Sequence, residues 1–450
     1  MRLALDQGGR SSRAIVFAPD GRIAAHARVA VGTRRAPGGV VEQDPEAIIA
    51  SLERCIAEVA AVVPPSEWRA AGLACQRSSV VGWDLASGAA RTPVLSWMDT
   101  RAASAFDDLA LDADRVRALT GLPPSPHYGA TKLRWMAAHA DTTGAFGCGP
   151  LVEQTMQHEA RERPYRVAHT LAQRTLLYDV HARDWSDELL RAFGVTRDAL
   201  PACVDDCSPH GTLRGVPFTV CAGDQNLVPY AAGNPAADTL YVNLGTGAFL
   251  LRPIARAGDV PDGLLLAPLD GPAGRRGLAA EGTVNGAAAA IAWFEHETGA
   301  VFPWDALEHV DARTAPLFVN AIGDLGSPFW RTDVRARFEP RSDDRVACAY
   351  AVVESIAFLV RANFERLAPA ARIIATGGLA QRASMRALLA RVLRVPVLAG
   401  PAEATARGVA SLLGGVTPDA VARGGDASAG DSDACLADRY RRWCSLLSPV

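Results

Sequence analysis

Two stretches of this chain repeat one pattern, and that repeat limits the possible folds more than any other feature. Residues 3–17 read LALDQGGRSSRAIVF and residues 239–251 read TLYVNLGTGAFLL. Each is an apolar run, a glycine-bearing turn and a second apolar run, as in a strand–turn–strand hairpin. Behind the first, PDG at 19–21 turns the chain into RIAAHARVA. DPEAIIASLERCIAEVAAVV then has helical periodicity, with Asp44 as N-cap and Pro45 after it. AAGLACQ and FTVCAGDQ are buried-strand candidates, and helical patterns fall at 113–120, 128–139 and 186–194. Behind the second hairpin, helical patterns fall at 284–297 and 345–369. RIIATGGLA follows as strand and glycine turn, SMRALLARVL as helix, RVPVLAG as strand and EATARGVASLL as helix. The pattern predicts two α/β halves, 1–235 and 236–413, with 414–450 a Gly/Asp/Ser-rich linker and a C-terminal helix.

At 450 residues the chain exceeds one ordinary core. It is 49% hydrophobic and 21% charged, the balance of a soluble globular protein, and its net charge of −3 offers nothing to a nucleic acid. The nine cysteines are scattered, and the close pair Cys203 and Cys207 has no second pair to complete a zinc site. Asp6 interrupts the N-terminal apolar run, which argues against a signal peptide, and GAAAAIAWF, the longest apolar segment, is too short for a bilayer. The expectation is a cytoplasmic protein without a membrane or nucleic-acid partner. Among 46 basic residues, only Lys132 is lysine. Where nearly every cation is arginine, a lysine is either a chance survivor or a position that arginine cannot serve.

The motifs are weak singly. In DQGGRSSR, glycines let backbone N–H groups approach phosphate oxygens, and Ser11, Ser12 and Arg13 could add donors and charge around Gly8. Asp6 at the strand end could hold Mg²⁺ through water. The alternative is a hairpin whose glycines only relax the backbone. Gly245-Thr246-Gly247 and Thr376-Gly377-Gly378 are open to the same two readings. Asp224, in GDQ, is either a helix N-cap or a general base at a strand end.

Taken in order, the segments resemble the FGGY family of carbohydrate kinases, within it most of all the glycerol kinases. The resemblance covers roughly residues 3–413 and rests on LALDQGGRSSRAIVF, CQRSSVVGWDLASG, LSWMDTRA, YGATKLRWM, AGDQN, NLGTGAFLL, GDLGSPFW, ATGGLAQ and EATARGVASLL. It implies two actin/hexokinase-like (ribonuclease H-like) domains around a central cleft. It also implies an ATP-dependent kinase in which Asp224 takes the proton from the acceptor hydroxyl and Asp6 helps place Mg²⁺. Gly245, Thr246 and Gly247 would hold phosphates, and Gly377 and Gly378 would border the adenosine. Arg77, Trp97, Asp224, Gln225 and Phe249 match positions that line the acceptor site.

Two departures bear on the chemistry. Gly9 and Arg10 stand where the family has two hydroxyl residues, so a donor is lost and a charged side chain gained. Ser78 and His127 replace a glutamate and a tyrosine of the acceptor site. Without that carboxylate, and with a shorter side chain, the pocket is expected to take a larger polyol or ketose rather than glycerol. The readings kept are therefore a small-polyol or ketose kinase using Mg·ATP, glycerol kinase proper, and a catalytically weak sugar-binding regulator. A structural actin-like protein would share the fold but lacks a use for Asp224. A homo-oligomer is compatible with all of them.

Overall fold

The computed structural model describes residues 1–106, 112–143, 146–150, 165–416 and 434–447. The chain forms two units. The first is Met1–Gly233, joined by Leu266–Leu278 and by the stretch starting at Thr405; the second is Asn234–Leu265 with Ala279–Ala404 and the C-terminal helix Ala434–Leu447.

In the first unit the sheet order is Thr212–Leu213, Val216–Gly223, Ala70–Cys75, Arg2–Gln7, Ser11–Phe17, Ile23–Ala30. Arg2–Gln7, Ser11–Phe17 and Ile23–Ala30 are an antiparallel meander, and Ala70–Cys75 and Val216–Gly223 add on parallel. The parallel strands are buried on both faces and hence apolar almost throughout. Leu3, Leu5, Ile15 and Phe17 lie in the core. Helix Pro45–Ala60 covers one face through Ile48, Ile49, Leu52, Ile56 and Val59, an apolar stripe at helical spacing, and Asp44 caps it by accepting from the Glu46 N–H.

The second unit repeats the scheme. Thr239–Leu244 and Ala248–Ile254 are antiparallel, Arg276–Val284 lies beside them, and Arg372–Thr376 and Val397–Ala399 add on parallel. The strand–turn–strand opening read from the two repeated motifs is thus present twice, each time with parallel strands added beside it. The helix expected from 284 begins at Ala288, because Arg276–Val284 is a strand, and the one expected to reach 369 ends at Phe364. Helix Arg345–Phe364 is longer than GAAAAIAWF and apolar enough to cross a bilayer by length alone. It is instead the core helix of this unit, packed among Leu240, Val242, Phe318 and the C-terminal Tyr440 and Trp443. The linker reading at 414–434 falls mostly outside the described residues.

Candidate active site

Asp6 ends the first strand. It stands opposite Arg13 in the hairpin, and Arg13 Nη1 donates to Asp6 Oδ2 at 2.7 Å. The Gly8 N–H donates to Ser11 O at 3.0 Å and closes the turn, leaving Arg10 exposed at its tip. Side chains alternate along a strand, so Ser11 and Arg13 share one face and Ser12 takes the other. Ser11 Oγ accepts from Arg28 Nε at 3.2 Å, whereas Ser12 Oγ is buried under the helix and accepts from Ser51 Oγ at 2.7 Å. Three buried glutamines brace the turn from behind. Gln76 Nε2 donates to Gln43 Oε1 at 2.8 Å and to Gln7 Oε1 at 3.1 Å, and Gln43 Nε2 donates to Gly9 O at 3.0 Å. Sequence reasoning missed them, because no spacing rule joins residues 7, 43 and 76.

The first-unit sheet brings the two aspartates to one edge. Gln7 pairs with Cys75 and Cys75 with Gly223 across three parallel strands, so Asp6 and Asp224 sit at their carboxyl ends with Cys75 between. Loss of water in the interior, and then the nearby charges of Asp224 and Asp6, push the Cys75 thiol far up. Gly223 is the N-cap of the short helix Asp224–Leu227, so Asp224 is its first residue and not its cap. The carboxylate accepts from its neighbour's N–H, that of Gln225, at 2.8 Å, and Gln225 Nε2 lies 3.3 Å from Oδ2. Arg77 Nε is 3.7 Å from Asp224 Oδ1.

The other acceptor candidates of this unit also converge. Ser78 is buried with a backbone φ of 61°, and among the described residues its Oγ has no hydrogen-bond partner. Trp97, 37% exposed, makes an edge-to-face contact with His127 at 5.7 Å between ring centroids. Trp97 N–H donates to Ser79 Oγ, and Ser79 Oγ in turn donates to Gln76, which ties the tryptophan to the glutamine brace. Asp99, fully buried, takes a two-pronged bond from Arg101 and the Val41 N–H at 2.7 Å.

In the second unit, Gly245, Thr246 and Gly247 form the turn between Thr239–Leu244 and Ala248–Ile254, with Thr246 exposed. The Ala288 and Ala289 N–H groups donate to Gly245 O and Thr246 O at 3.1 and 2.9 Å, which seats a helix start directly on the turn. A Cβ on Gly247 would lie 2.8 Å from Val284 O. Gly377 has a φ of 86°, and a Cβ there would meet Leu244 O at 2.5 Å, so only glycine fits beside this turn. Gly378 follows it, exposed, and Phe249 is half-buried opposite Asn243.

A second polar cluster was not foreseen. His169, Asp205 and Asp270 could each turn one ligand atom towards a common point. Arg183 already occupies both carboxylates, with Nη2 2.6 Å from each, and Tyr178 Oη bonds His169 Nδ1. Burial and then Arg183 lower the His169 pKa to about 4, so the ring is neutral and the guanidinium supplies the positive charge. This is a largely buried ion network in which Arg183 already neutralises both carboxylates. Nothing in the sequence relates residues 169, 183, 205 and 270.

Comparison with known proteins agrees with these elements. Residues 1–229 match the N-terminal domain of the FGGY family of carbohydrate kinases and residues 240–416 match its C-terminal domain. A glycerol kinase from Alkalilimnicola ehrlichii is 32% identical, the alignment covering 93% of this chain and 92% of that one. Among solved structures, the ligand-bound xylulose kinase from Lactobacillus acidophilus superposes with a TM-score of 0.86 at 17% identity, covering 99% and 97% of the two chains. The Plasmodium falciparum glycerol kinase with ADP superposes with a TM-score of 0.80 at 20% identity, over 91% and 88%. Both repeated halves, the order of their motifs and this extent of similarity make the chain a member of the FGGY family of carbohydrate kinases, a phosphotransferase with an alcohol group as acceptor.

Proposed function

We propose that this kinase transfers the γ-phosphoryl group of ATP to a hydroxyl of a small polyol or ketose, with Asp224 as general base. The observation that carries the reading is the convergence of Asp6 and Asp224 on the carboxyl ends of two parallel strands with Ala70–Cys75 between them, with Arg77 beside Asp224. Ligands of open α/β sheets bind at that edge. Asp224 takes the acceptor's proton as its oxygen bonds to the γ-phosphorus; the bridging P–O bond breaks and ADP leaves. Alignment and charge neutralisation do most of the work in such a transfer. Arg77 steadies the base, Gln225 orients it, and the Gly245–Gly247 and Gly377–Gly378 turns receive the nucleotide.

Asp6 suits Mg²⁺. It is a carboxylate near the strand end, a hard oxygen donor of the kind that the water shell of a hard cation bonds to, with Arg13 beside it. The ion would neutralise phosphate charge there.

Ser78 favours an acceptor larger than glycerol. A buried hydroxyl without a partner is costly unless something meets it, and an additional acceptor hydroxyl would. The 32% identity to a glycerol kinase favours glycerol itself as the second reading. ADP release with Mg·ATP over glycerol, tetritols, pentitols and ketoses, with Asp224→Asn as control, tests both. Turnover on a four- or five-carbon acceptor that is lost in the variant is the expected result. Preference for glycerol selects the second reading, and no turnover on any acceptor overturns the kinase assignment to these residues.

A further inference from the structure

We propose that Lys132 is a positioning residue for the acceptor: its ammonium clamps the Ser78 and His127 peptides together and so holds the shape of the pocket those two residues line. The inference rests on the reading of Ser78 and His127 as acceptor-site residues. Lys132 is 1% exposed, on helix Gly129–His139. Its Nζ donates to His127 O at 2.5 Å and to Ser78 O at 3.3 Å, two carbonyls 49 positions apart in sequence that no strand pairing joins.

Stability does not explain an ammonium here. Burying a charge between two neutral carbonyls is costly, and an apolar side chain of similar volume usually serves a core as well or better. Lys132 also lies near the start of its helix, the end at which the backbone dipole opposes a cation. Burial lowers its pKa to about 7, with Asp99 acting against that. Near neutral pH the group is therefore divided between ammonium and amine, and both forms keep N–H donors for the two carbonyls.

What the Lys132 Nζ secures is a strained and an exposed partner. Ser78 is in the left-handed region, a backbone conformation that a non-glycine residue holds only with outside support. The bond to Ser78 O supplies that support and keeps the unpartnered Oγ in place. His127 is exposed, and its ring contact with Trp97 depends on where its backbone is held. A lysine satisfies two carbonyls as a compact point donor. An arginine would bring a planar fork of five N–H groups into the same space. That is a physical reason for the chain's one lysine among its 46 basic residues.

Calorimetric binding to the full-length protein tests this without requiring turnover, using glycerol, tetritols, pentitols and ketoses as acceptors and Mg·ATP separately. Lys132→Met is expected to weaken the best acceptor at least about tenfold and to change the ratio of affinities between acceptors, with Mg·ATP affinity within twofold of wild type. The ratio does not depend on the fraction of folded protein, so a merely structural role would leave it unmoved. Unchanged acceptor affinities and ratio, or no acceptor binding by the wild type, overturn the proposal. If Lys132→Met does not fold, Lys132→Arg carries the test with the same expected shift in ratio. Acceptor binding without turnover would count against the kinase reading alone.

Discussion

Arg77 Nε stands 3.7 Å from Asp224 Oδ1 while the Nη1 of the same guanidinium donates to Asn226 Oδ1 at 3.1 Å. The arginine therefore grips the turn on which the proposed base sits at two points. Its stem passes so close to Gly223 that a Cβ there would lie 2.9 Å from the Arg77 Cγ and Cδ atoms. Asp224→Asn keeps the shape and the neighbour contacts but removes the proton acceptor. It is expected to lower kcat by about 10²–10⁴-fold, with Mg·ATP affinity and thermal midpoint little changed. A variant with more than a tenth of wild-type kcat would remove Asp224 from the base role.

The phosphate turn can be tested at its departure from the family pattern. Gly9 does not have a positive φ, and a Cβ there would meet Trp97 Nε1 at 3.4 Å and Gln76 Oε1 at 3.5 Å, ordinary contact distances. The glycine is thus not required by the backbone. Gly9→Ser is expected to fold with a stability within about 1 kcal/mol of wild type and, by returning a hydroxyl donor to the turn, to lower KM for ATP several-fold. A steady-state titration of ATP at saturating acceptor measures it. An unchanged or higher KM would mean that Arg10 has already replaced the missing donor.

How much of this was legible in the sequence depended on the range of the contact. The hairpins Arg2–Phe17 and Thr239–Ile254 and the helix begun by Asp44 are local patterns, and apolar periodicity with turn chemistry was enough to find them. Asp6 and Asp224 lie far apart in the chain, and the sequence points to them through their places at strand ends and through the family resemblance. What brings them together is the parallel register through Cys75, which no local pattern encodes. Ser12 was grouped with Ser11 and Arg13 by adjacency, but the pleat turns it to the helix face and onto Ser51. The glutamine brace, the Arg183 network and the Lys132 clamp each join residues tens of positions apart, and each was invisible for that reason.

Acid should weaken this fold through its buried histidines. His210 is fully buried, with Nε2 3.3 Å from Ser208 Oγ and Nδ1 without a partner among the described residues, and burial lowers its pKa from 6.5 to about 4. The folded ring stays neutral where the unfolded one binds a proton, so stability falls as pH drops from 6.5 towards 4 and this loss ends below 4. At pH 5 the contribution is about 2 kcal/mol from this ring. Urea unfolding at pH 7 and pH 5 should show a smaller pH-dependent loss in His210→Gln by about that amount. Equal losses in both proteins would place the His210 titration near its ordinary value.

The C-terminal helix, whose role the sequence does not give, is fastened in part by the Arg439–Glu354 ion pair. Arg439 donates to both carboxylate oxygens of Glu354 at 2.7 Å, and its other N–H groups reach Ala315 O and Pro316 O at 2.8 Å. Both side chains are almost wholly buried, so the pair's own attraction is largely offset by lost hydration, and its net contribution is small. Breaking it is another matter. Arg439→Met would take the guanidinium away from the buried Glu354 carboxylate and strip two carbonyls of their donor, at a cost of about 3–5 kcal/mol. The double variant Arg439→Met with Glu354→Gln removes the stranded charge and should recover part of that loss. Denaturant unfolding of the three proteins measures it. If the double variant is no more stable than Arg439→Met, the cost lies in the lost carbonyl contacts rather than in the unpaired carboxylate.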